Sequence, residues 1–113
     1  MTLTEFLHAI KQPEHRFADT LTFIDRHYHY TACDFDNAGL HNSAGSNPGS
    51  CKILGLALLE QLSTEDALLA FAEHYQQVLA TPDGSDHANI RQLLKHGLAS
   101  VHFSQLPLSR LVV

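Results

Sequence analysis

At 113 residues the chain is long enough for one hydrophobic core and too short for two. Its 44% hydrophobic content is that of a folding sequence, and a formal charge of −5 with only seven Lys and Arg argues against the basic footprint of a nucleic-acid or anionic-membrane binder. Nine His temper that balance, because protonating several of them near pH 6 moves the net charge toward zero.

Thr2 and Glu5 have capping-box spacing, and Leu3, Phe6, Leu7 and Ile10 then share one helical face, so a first helix is expected over Thr2 to Gln12. Pro13 ends it and can open a second helix, along which Phe17, Leu21, Ile24 and Tyr28 repeat at helical spacing. From His29 to Phe35 the period changes to two, as in a short strand. Asp36 to Gly39 has turn chemistry, and His41 to Gly49 reads as a polar loop rich in Asn, Gly and Ser.

A third helix is expected from Gly49 or Ser50 to Leu62. Cys51, Leu54, Gly55, Leu58 and Leu62 form its stripe, and enough of the rest is apolar to make it central. Ser63 caps a fourth helix with Leu68, Phe71, Tyr75, Val78 and Leu79 toward the core. Thr81 to Ser85 breaks it, and a fifth helix follows from about Asp86 to His96, stopped by Gly97. Ser100 to Ser104 suggests a strand that pairs with the one around Tyr30, and the tail from Leu106 either adds an edge strand or packs. The expected fold is α+β, about five helices around a small antiparallel sheet of two or three short strands, in one domain over residues 1–113.

Two cysteines, Cys33 and Cys51, are too few for a disulfide scaffold, and nothing in their spacing prompts a bridge. No apolar run reaches the roughly 18 residues of a membrane span. The amino terminus lacks the basic-then-apolar pattern of a Sec signal, so a cytoplasmic protein is expected.

Several polar motifs stand out: Tyr30-Thr31, Phe35-x-Asn37, Asn42-x-Ala44-Gly45-x-Asn47-x-Gly49-Ser50-Cys51-Lys52, and Pro82-Asp83-Gly84-x-Asp86-His87-x-Asn89-Ile90-Arg91. On these residues the chain resembles the HopJ type III effector family from about Phe17 to Phe103. It departs from that pattern at Ala38 and Ala32, where the family usually has Gly and Pro, and at Leu98, where Trp is usual. The resemblance implies a type III effector-like protein and secretion by that route. It carries no settled biochemical activity.

The residues themselves support two chemistries. Gly45, Gly49 and the helix start at Ser50 can offer free N–H groups to a phosphate or carboxylate, with Asn42, Asn47 and Asn89 as polar contacts and Lys52 and Arg91 as charge. Alternatively the asparagines only hold the loop to itself. The rival chemistry is a thiol-dependent hydrolase or transferase. Cys51 in a helix first turn would be the nucleophile, His87 the base, Asp86 or Asn89 the orienting group, and Asn47 or loop N–H groups the oxyanion donors. Against it, Cys51 shares its face with Leu54 and Leu58, as a small buried hydrophobe would. No HxxxH, HExxH or CxxC spacing occurs, so neither a metal site nor a cofactor is expected. The leading expectation is a binding module whose partner is a protein or a small polar or anionic ligand, with no role for nucleic acid or membrane.

Overall fold

A computed structural model describes residues 1–111. Among them lie six helices: α1 (Leu3–Ala9), α2 (Phe17–His27), α3 (Pro48–Glu60), α4 (Thr64–Ala70), α5 (Glu73–Ala80) and α6 (Ala88–His96). Five three-residue strands accompany them: β1 (Tyr28–Tyr30), β2 (Phe35–Asn37), β3 (Leu40–Asn42), β4 (Val101–Phe103) and β5 (Leu108–Arg110). The α+β class is as expected, but the strands form two antiparallel sheets, β1-β5 and β3-β2-β4.

The expected helix starts are present where side chains can cap them. Thr2 and Glu5 form the reciprocal capping box of α1, and the Ser63 hydroxyl accepts the Asp66 N–H at 3.0 Å. Pro13 does not open α2. That helix starts at Phe17, whose N–H is taken by the Glu73 carboxylate at 2.7 Å. Gly97, at φ +75°, follows α6 as a helix-stopping glycine does.

The expected fourth helix is two helices. Ala72 breaks it with φ +52° and ψ −121°, a backbone conformation L-residues rarely hold, although no Gly or Pro marks the site. The expected pairing of the Ser100 to Ser104 strand with the strand around Tyr30 is met in part. Residues 31–34 are irregular, so the run divides: Tyr30 pairs with Leu108 of the tail, while Phe35 pairs with Phe103. The tail thus does add a strand, and its last two residues lie outside the described residues. Asp36 to Gly39, expected as a turn, contains the end of β2, and a two-residue turn at Ala38 and Gly39 leads into β3 with both φ positive, as in type I′ hairpins.

Helix α3 is the centre of the molecule. Cys51, Ile53, Leu54, Gly55, Leu56 and Ala57 are all buried, and α2, α4 and β5 pack around it. A Cβ on Gly55 would collide with Pro107, so this glycine lets the tail lie directly across the helix. Each fully buried side chain such as Ile53, Leu54 or Leu56 contributes roughly 2 kcal/mol by burial. With its core end so anchored, α3 presents a fixed amino terminus at the surface.

Candidate functional site

Two helices begin at the same place. Pro48, Gly49 and Ser50 of α3 and Ala88, Asn89 and Ile90 of α6 line one cleft of about 470 Å³, closed on other sides by β3, Phe17, Phe71 and His74. Neither helix has a side-chain cap. Asn47 occupies the N-cap position of α3, but its amide is turned to donate to Asn42 Oδ1 at 2.6 Å. His87 occupies that of α6 in the left-handed conformation, with its Nε2 2.7 Å from Gln77 Oε1. The first N–H groups of both helices are therefore left without a capping side chain.

An asparagine network holds the two starts together. Asn42 and Asn89 are buried and exchange amides: Asn89 Nδ2 donates to Asn42 Oδ1 at 2.8 Å, and Asn42 Nδ2 to Asn89 Oδ1 at 3.2 Å. Asn37 Nδ2, fully enclosed, donates to the Asn89 carbonyl oxygen at 2.9 Å and to its Oδ1 at 3.1 Å. Strands β2 and β3 are thereby fastened to the first turn of α6 by asparagine side-chain hydrogen bonds, and burial makes each of these bonds costly to lose.

Aromatic packing sets the far wall. Phe17 meets His74 edge-on at 4.5 Å, and His74 lies 4.9 Å from the His87 ring. A Cβ on Gly49 would stand 2.6 Å from Phe17 Cζ, so the glycine makes room for that ring. Among the described residues, His41, His74 and His87 are the titratable ones of the lining, which includes no carboxylate, Lys or Arg, although the Asp36 carboxylate stands 2.9 Å from His41. With two helix starts supplying positive partial charge, the cleft suits a polar or negatively charged group.

The HopJ type III effector protein family matches residues 3–108, nearly the whole chain. The chain belongs to that family. A crystal structure of VPA0580, a protein of unknown function, is similar to it at 34% sequence identity and a TM-score of 0.90, covering 97% of this chain and 94% of that one. No curated protein matches.

In this HopJ chain the two sequence motifs do converge, but not through all the residues proposed for the site. Asn42, Asn47, Gly49, Ser50, His87 and Asn89 line the cleft. Gly45 does not; at φ +82° it turns the exposed loop, where Ser46 bonds back to the Ser43 carbonyl oxygen. Lys52 points to the other side of α3, pairing with Asp25 at 2.9 Å and lying 5.0 Å from the centre of the Tyr30 ring. Arg91 is a staple: its guanidinium binds the Thr81 carbonyl oxygen at 2.7 Å, the Asp86 carbonyl oxygen and Asp86 Oδ1, folding residues 81–86 around it. Arg91 holds the Asp86 carboxyl below the usual range. That staple fixes where α6 begins and so positions His87.

The parts of the thiol alternative lie in separate settings. Cys51 is 2% exposed and directs its Sγ toward the Cys33 carbonyl oxygen at 3.9 Å. His87 is engaged by Gln77, and Asp86 is committed to Arg91, with its second oxygen 3.9 Å from His87. Among the described residues no hydrogen bond joins Cys51 to His87. Phe17, His41 and His74 belong to the cleft and were absent from the sequence-based site. Asn37 was among the family motif residues, which is the signal that its tie to Asn89 could have used.

Proposed function

We propose that this HopJ family member is a binding module whose recognition site is the cleft between the starts of α3 and α6, and that the site takes a negatively charged group such as a phosphate or carboxylate. One observation carries the reading: two helix starts without capping side chains face a cleft lined by three histidines and no carboxylate. Each helix start favours an anion by about 0.3–1 kcal/mol, more where partly buried. Lys52 and Arg91 are engaged by their own partners, and Cys51 is buried.

Calorimetric titration with sulfate, whose charge is constant across the range, tests the proposal at pH 6 and pH 8. Saturable binding that is lost in His87→Ala is expected. No binding at either pH would sink the reading. Family membership also supports export by a type III secretion system after synthesis in the cytoplasm. A translocation reporter fused to the chain tests that route, and a reporter retained in cells with a working apparatus would oppose it.

A further inference from the structure

The two cysteines that the cleft does not use are neighbours. Cys33 sits in the irregular connection from β1 to β2, and Cys51 in the first turn of α3. Both are free and buried, and Cys51 Sγ lies 3.9 Å from the Cys33 carbonyl oxygen. The Cys33 thiol makes its own bond to the Gln105 carbonyl oxygen at 3.0 Å. On the preceding strand the buried hydroxyl of Tyr30 has no hydrogen-bond partner among the described residues.

We propose that Cys33 and Cys51 form a redox-modification site, in which hydrogen peroxide converts the two thiols to an intramolecular disulfide tying residues 31–34 to the first turn of α3. Cys33 reacts first, because its flanking residues Ala32 and Asp34 are exposed whereas Cys51 is enclosed by the core. Its thiolate attacks one peroxide oxygen, the O–O bond breaks, and the departing hydroxide takes up the thiol proton as water, leaving a sulfenic acid. The Cys51 thiolate attacks that sulfur; the S–S bond forms, the S–O bond breaks, and hydroxide leaves as water with the Cys51 proton. The peroxide accepts two electrons and the two sulfurs supply them. Burial raises the Cys33 thiol above its ordinary range, so the reaction accelerates as pH rises. The bridge acts immediately beside Gly49 and Ser50, yet its formation does not depend on the cleft having a ligand.

Peroxide treatment of the folded protein, followed by intact mass measurement without reductant, tests the proposal. The expected product is a monomer lighter by two hydrogens. Cleavage before Asp34 and Asp36 should yield fragments joined through Cys33 and Cys51 that separate in dithiothreitol. Both Cys33→Ser and Cys51→Ala should abolish the cross-link, and the Cys51→Ala protein should accumulate oxygen on Cys33 instead. Added oxygen without a cross-link in the wild type, a disulfide between two chains, or thiols that react only after urea unfolding would each overturn it.

Discussion

Replacing Asn42 with Ala removes the centre of the asparagine network. Four hydrogen bonds are lost: its amide's bonds to the Leu40 carbonyl oxygen and to Asn89 Oδ1, and those its Oδ1 accepts from Asn47 and Asn89. The partners are affected unequally. Asn89 Oδ1 keeps Asn37, and Asn47 is exposed and can turn to water, but Asn89 Nδ2 loses its one acceptor among the described residues while still buried. Leaving that donor unpaired costs about 1–3 kcal/mol, and the lost bond to Leu40 about 1 kcal/mol more, for roughly 2–4 kcal/mol in all. Urea denaturation should show this as a lower midpoint with an unchanged slope. Asn47→Ala is the control, expected to cost less than about 1 kcal/mol because Asn42 Oδ1 retains Asn89. Equal costs for the two variants would refute the argument that burial, not the number of polar contacts, sets the network's value.

Three further outcomes follow from the same geometry. Gly49→Ala should destabilise by about 1–3 kcal/mol in the same assay, since overpacking against Phe17 outweighs the helix propensity gained, and a stabilised variant would contradict the close approach. Ala38→Gly should stabilise by up to about 1 kcal/mol by relieving the left-handed turn, and a loss of stability would mean that chain entropy dominates. The Glu60 carboxyl is held below its usual value of 4.5 by Arg110, against burial, with help from the Tyr28 hydroxyl. The unfolded chain therefore binds more protons in that window, and stability present above about pH 4.5 is lost as pH falls through the lower folded value. Glu60→Gln should flatten the stability profile below about pH 4.5; an unchanged slope would mean that Glu60 contributes nothing to it.

What the sequence conveyed well was local. Thr2 with Glu5, Ser63 with Asp66, and Gly97 each act within one helical turn, so their spacing alone marks α1, α4 and the end of α6. The broad apolar character of α3 marked it as central. Strand pairing was less legible, because three-residue strands carry too little alternation to specify partners, and the break at residues 31–34 sends Tyr30 and Phe35 to different sheets. The division at Ala72 had no breaker residue to announce it. At the site, the meeting of the Asn42–Lys52 and Asp86–Arg91 segments was anticipated, but side-chain direction was not. Being apolar on nearly every side, α3 offers no clear phase, so the turn of Lys52 toward Asp25 could not be read. The attachment of Arg91 to Thr81 depends on how residues 81–86 fold back, which spacing does not encode.

Whether the α3 and α6 starts form one anion site is decided by backbone amide chemical shifts during a sulfate titration at pH 6. Saturable shifts are expected at Gly49, Ser50, Ala88 and Asn89, following a single binding curve. Shifts confined to exposed Lys and Arg neighbourhoods, or separate curves for the two helix starts, would contradict a single site.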